Sequence, residues 1–140
     1  MEKYAPEERI MNKELERTTI HSFTDLKVWN EAHTLAITIY TISKVFPKEE
    51  VFGLTSQIRR SAVSVTANIA EGFSRTSWKE KASFYSIALG SLTETQSHLL
   101  ISRDIGYLSE ETYAEILPQV VLVSKLCNGL IKKTRSISSS

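Results

Sequence analysis

Residues Thr55 to Arg75 read TSQIRRSAVSVTANIAEGFSR, and at about 100° per residue they make one helix with two opposed faces. Ile58, Ala62, Val65, Ile69 and Phe73 share an arc of roughly 80°, the apolar seam that a bundle core requires. Gln57, Arg60, Ser64, Asn68, Glu71 and Arg75 occupy the opposite arc, and Arg59 adjoins Arg60 in the chain. A solvated helix face usually carries flexible Lys–Glu pairs. This one carries amides, hydroxyls and guanidinium groups, which suit directed hydrogen bonding. The stripe is therefore a candidate subunit or helix contact, or a candidate ligand or nucleic-acid surface.

Upstream, Ser22-Phe-Thr-Asp25 is a helix start with an acidic first turn. The helix it opens extends to about Lys44, with Val28, Ala32, Leu35, Ile39 and Ile42 spaced by four and three and Trp29, Ala36 and Tyr40 widening the stripe. Pro47 ends it. Downstream, Ser77 and Glu80 have the spacing of a capping box, and the helix that follows runs to Ile105 with Gly106 as its C-cap signal. Its seam is Tyr85, Ala88, Leu89, Leu92, Gln96 and Leu99, and its back gathers Ser83, Ser86, Gly90, Glu94 and Ser97. Glycine costs about 1 kcal/mol in a helix interior relative to alanine, so a close helix contact is predicted at Gly90. Glu94 is the candidate carboxylate partner of Arg59 or Arg60.

A fourth helix begins at Ser109 and reaches about Thr134, with Tyr113, Ile116, Val120, Val123, Cys127 and Leu130 at heptad-like spacing and a kink expected at Pro118. Val120 to Val123 is apolar all round the turn, which predicts cover on two sides, by its own bundle and by another subunit. Short connections then imply an all-α, antiparallel up-down-up-down four-helix bundle. Residues 22–135 form it, with a charged N-terminal extension at 1–21 and a Ser-rich tail at 136–140.

The remaining sequence bounds function by exclusion. The 140 residues suit one domain, and a formal net charge of +1 means that nucleic-acid binding would need a local patch. The charged N-terminus does not resemble a signal peptide and no run reads as a membrane span, so a cytoplasmic location is expected. The lone Cys127 excludes an internal disulfide and a multi-thiolate metal site. Glu94 and His98 are four apart, whereas a di-iron bundle uses Glu-x-x-His twice. There is no H-E-x-x-H, no Gly-rich phosphate loop and no nucleophile elbow. Catalytic residues, metals, cofactors and a small-molecule substrate are not expected.

At Phe23-Thr-Asp-Leu-Lys-Val-Trp29, Phe46-Pro47, Gly53-Leu-Thr-Ser-Gln-Ile-Arg-Arg60, Ala67-Asn-Ile-Ala-Glu-Gly72 and Ala88-Leu-Gly-Ser-Leu92, the chain resembles the bacterial four-helix bundle family encoded within intervening sequences of 23S ribosomal RNA genes. Some members of that family carry a ribosomal-protein label. The resemblance spans about Ser22 to Lys133 and implies a ring-shaped homopentamer without established enzymatic activity. The family is also similar to the accessory protein of diversity-generating retroelements, a pentameric barrel that binds nucleic acid. Gln57, Arg60, Asn68, Glu71 and Gly72 fall on motif positions. Where the family usually has Ile-Pro-Ala-Asn, this chain has Val65-Thr-Ala-Asn68, so its second helix should be more regular. The expected role is an oligomer that binds structured RNA or a nucleoprotein through arginines repeated by symmetry. The rival is a structural protein–protein adaptor with no nucleic-acid role.

Overall fold

The computed structural model describes residues 20–138. Most of the predicted N-terminal extension, residues 1–19, and the end of the Ser-rich tail lie outside them. The described residues form four helices and no strand: α1 (Lys27–Ser43), α2 (Leu54–Ser74), α3 (Trp78–Asp104) and α4 (Glu110–Ser138), with short 3-10 turns at Phe23–Asp25 and Lys48–Glu50. Each helix packs on its neighbours in the chain, and α1 closes the ring against α4.

Paired residues fix the helix directions. Along the α2–α3 seam Ser61 meets Thr95, Ser64 meets Ser91 and Gly72 lies on Tyr85, so one number rises as the other falls. From α3 to α4, Tyr85 meets Cys127 and Arg103 stacks on Tyr113. Both pairs of helices are therefore antiparallel. The seams expected from helical periodicity form the core, where Leu35, Ile39, Ile58, Val65, Ile69, Leu99, Val123 and Cys127 are essentially inaccessible. Trp29, Ile42, Leu89, Gln96 and Leu130 are only partly buried and Tyr40 is exposed, while Phe73 is half-buried beneath the ammonium of Lys81.

Helix ends follow local chemistry, with two shifts from expectation, one of them the run of α4 past Thr134 to Ser138 in the predicted Ser-rich tail. The Ser22–Asp25 signal makes a complete capping box, but it closes the first 3-10 turn rather than α1. Leu26 is extended between them, and Asn30 ties the two together by donating from Nδ2 to the carbonyls of Thr24 and Leu26 at 2.7 and 2.9 Å. Ser77 caps α3, its Oγ accepting from the Glu80 N–H at 3.3 Å. At the far end Gly106 adopts φ +86, a region that costs a side chain energy but not glycine. The Tyr107 N–H then reaches the Ser102 carbonyl and the Gly106 N–H the Arg103 carbonyl, the Schellman arrangement.

Two features of α2 and α4 complete the frame. α2 is unbroken through Thr66, whose hydroxyl donates to the Val63 carbonyl at 2.7 Å. α4 continues through Pro118, which sits on its exposed side, so the helical bond lost there faces water. Contrary to the sequence reading, α4 is long and apolar enough by length and composition alone to cross a membrane. Here it packs as a bundle helix, burying Tyr113, Ile116, Val120, Val123, Cys127, Ile131 and Thr134.

Candidate nucleic-acid interface

The polar stripe of α2 does not act as one surface. Its central members turn toward α3: the hydroxyls of Ser64 and Ser91 stand 2.8 Å apart, and Asn68 donates from Nδ2 to the Ser64 carbonyl at 2.8 Å and to its hydroxyl at 3.0 Å. Deeper in the same seam, Thr95 donates to Ser61, also at 2.8 Å, with Ser61 and Thr95 both buried. These hydroxyls satisfy one another and the helix carbonyls where larger side chains would hold the helices apart. Ser64 and Asn68 are thereby committed within the subunit.

At the C-terminal end of the stripe, Arg75 places Nη2 2.6 Å from the Glu71 carboxylate and its guanidinium carbon 4.7 Å from the Phe84 ring centre. Its Nε is buried without a hydrogen-bond partner. Ion pair and stacking hold this arginine against the protein. Nearby, Lys81 donates to the carbonyls of Gly72 and Phe73 at 3.3 and 2.6 Å, closing the end of α2 with a cation where its dipole is negative. Desolvation lowers the Lys81 pKa from its ordinary value.

The N-terminal end is different. Arg59 reaches back to α1, donating from Nε to the Ser43 hydroxyl at 2.8 Å and from Nη2 to the Tyr40 carbonyl at 3.4 Å, with the guanidinium 4.8 Å from the Tyr40 ring centre. Those two bonds engage two of the five guanidinium N–H groups. Gln57 and Arg60 point to solvent. Lys44 and Lys48 flank the same end, and with Ser43, Phe46, Pro47, Val51, Thr55 and Arg59 they line an open recess of about 450 Å³. Sequence reasoning missed these two lysines. Their signal was their position either side of Phe46-Pro47, which a periodicity search passes over because it lies in a connection.

The expected partnership of Glu94 with Arg59 or Arg60 is replaced by others. Glu94 lies 3.5 Å from His98 Nε2 on its own helix, while Arg59 is held by α1. Neither His98 ring nitrogen has a hydrogen bond. Nor does a helix of the same subunit approach Gly90, where a Cβ would meet nothing within 4 Å. The close approach occurs on the neighbouring arc instead, at Ser91, Thr95 and Ser102, all buried.

No group of three or more His, Cys, Asp or Glu that could hold a metal occurs among the described residues. Cys127 is fully buried, its thiol donating to the Tyr85 carbonyl at 3.4 Å, and burial pushes its pKa from 9.0 to about 11. A thiol so protected is a poor nucleophile.

The comparisons agree with this architecture. A crystal structure of a protein with unknown function from the S23 ribosomal protein family of Bacteroides thetaiotaomicron superposes with a TM-score of 0.67. It is 27% identical, and the match covers 75% of this chain and 98% of that one. No curated protein matches the chain. The family model described as 23S rRNA-intervening sequence protein matches residues 24–129, from the first 3-10 turn to the last turns of α4. That span takes in every seam of the bundle, and the chain belongs to the 23S rRNA-intervening sequence protein family.

Proposed function

We propose that this protein is a non-enzymatic, self-assembling helical bundle that binds structured RNA in the cytoplasm through the cationic end formed by Lys44, Lys48, Arg59 and Arg60. The observation that carries the reading is the convergence of Lys44, Lys48 and Arg59 on one recess, with the exposed Arg60 next to Arg59 in the sequence, in a chain of net charge +1. Each added copy of the subunit repeats the patch, so assembly concentrates charge that the single chain lacks. The family's link to ribosomal RNA genes gives the nucleic acid its class, and the resemblance supports a pentamer.

Self-assembly has its own support. Ile87, Gly90, Glu94 and Ile101 on the outward side of α3 and Ile105 just past its end continue one helical spacing, and the three isoleucines are 50, 47 and 52% exposed. Val63 on α2 and Val121 on α4 are also exposed. A glycine that no neighbour in its own subunit requires fits close approach by a second copy. Light scattering at micromolar concentration should find an oligomer, and a monomer there would remove the assembly half of the proposal.

RNA binding is tested by fluorescence anisotropy with a structured ribosomal RNA fragment over a salt series. Arg60→Ala removes an exposed cation and should leave the fold intact. It should weaken binding and reduce the slope of log affinity against log salt by about 1, the signature of one lost phosphate contact. Arg59→Ala should weaken binding further. If both variants remain folded and assembled and bind as the parent does, the proposed surface is wrong, and no binding by the parent above background would favour an adaptor for other proteins.

A further inference from the structure

We infer that the recess between the end of α1 and the start of α2 is a receptor for one phosphoryl group carried on a compact organic body, as in a nucleoside monophosphate unit. This goes beyond the RNA surface. A surface that follows a strand needs only exposed cations, whereas this is an open recess of about 450 Å³ with a charged side and an apolar side.

The charged side is preorganised. Arg59 is immobilised by its bonds to Ser43 and Tyr40 and by the Tyr40 ring, and the N–H groups left over are what a phosphoryl oxygen accepts from. Lys44 and Lys48 bring two mobile ammonium groups to the same space. Thr55 adds a hydroxyl in the first turn of α2, at the helix's positive end. The carboxylates nearby stand outside the recess. Glu49 is exposed and Glu50 turns its Oε1 toward Gly53, 2.9 Å from where a Cβ would stand there, and neither lines the cavity. Opposite the cations lie Phe46, Pro47 and Val51. The cavity is larger than a phosphoryl group needs, and a base or sugar face would cover that apolar side.

A second cationic recess at the other end of the bundle, lined by Lys79, Arg135 and several serines, supplies the control. It has no apolar wall of this kind, and Arg135 already donates to Ser86.

The test is calorimetric titration of the full chain with adenosine 5′-monophosphate, adenosine and inorganic phosphate. Saturable binding of the monophosphate at one per subunit is expected, with competition by phosphate and none by adenosine. Lys48→Ala, on an exposed side chain, should weaken it about tenfold, the factor for one lost charge-assisted hydrogen bond. Arg59→Lys should do the same, and Lys79→Ala should change nothing. Adenosine binding as well as its monophosphate, no saturation, or equal loss in Lys79→Ala would each overturn the assignment. Displacement of the monophosphate by a 5′-phosphorylated RNA identifies a strand end as the source of the group. Displacement by phosphate but not by that RNA identifies a free small molecule. Unchanged monophosphate binding in Arg60→Ala, whose side chain does not line the recess, together with weakened RNA affinity would support the recess and separate its fate from that of the RNA surface.

Discussion

At the scale of single residues, small groups and one buried thiol set sharp limits. A Cβ on Gly72 would stand 2.6 and 2.9 Å from the Cε1 and Cδ1 atoms of Tyr85 and 3.1 Å from the Phe84 Cβ. Overpacking of this kind costs about 1–3 kcal/mol, against about 1 kcal/mol that alanine gains in helix propensity over glycine. Gly72→Ala should therefore lower the urea midpoint, and a raised midpoint would mean that Tyr85 swings aside freely. Cys127 gives a pH dependence whose sign follows from burial. The unfolded thiol ionises near 9.0 while the folded one stays neutral to about 11, and Tyr85 shifts in the same direction for the same reason. The Cys127 contribution is intact below pH 9 and is lost as pH rises from 9 to 11, at up to about 1.4 kcal/mol per pH unit, and that of Tyr85 starts to fall only near its ordinary value of 10.0. Urea titrations across that range should show the fall, and Cys127→Ala should make it shallower. The sequence marked Cys127 as a core residue correctly, because its position in the apolar spacing of α4 is all that burial needs. It could not show the fate of Ser64 and Asn68, which depends on what α3 places opposite them.

At the scale of helices, the α2–α3 seam distinguishes this bundle from one built on leucine alone. Ser61, Ser64, Ser91 and Thr95 interlock by hydroxyl contacts in its interior. Thr95→Val keeps the volume but removes the bond that the Ser61 hydroxyl accepts, leaving it its donation to the Ile58 carbonyl, at a cost of about 1 kcal/mol. Ser61→Ala added to it should cost little more, and a double-mutant cycle should return a coupling of about 0.5–1.5 kcal/mol. Strict additivity in that cycle would mean that the seam is held by packing alone. The existence of all four helices was legible because apolar residues recur at helical spacing, and Pro47, Ser77, Gly106 and Ser109 mark four of the ends, whereas the start of α1 and the end of α4 fell elsewhere than expected. The arc joining α2 to α3 was not, since Ser and Thr look alike in sequence whether they meet water or each other. The seam of α3 was the hardest to place for that reason, with Ser91, Thr95 and Ser102 buried beside Leu92 and Leu99.

At the scale of the molecule, the cationic end depends on two connections meeting. Phe46 from the α1–α2 connection packs its ring 5.6 Å from that of Tyr107 in the α3–α4 connection, fixing the turn that carries Lys48. No spacing in the chain announced this, because the residues involved are far apart in sequence and lie outside helices. The contacts among helices are also unequal: α2 and α3 share the most extensive seam, while α1 closes on α4 through the slightest. Stability in such a structure is graded. The central pair forms the part that opens only with global unfolding, and α1 forms a stave that can detach alone. Native-state hydrogen exchange should find the α1 amides leaving protection at lower denaturant than those of α2 and α3; simultaneous release of all four helices would contradict it. Because α1 carries Ser43 and Lys44, its detachment dismantles one wall of the recess and frees Arg59 from its anchors. A ligand seated there would then slow the opening of α1, linking occupancy of one small cavity to the lifetime of the closed bundle.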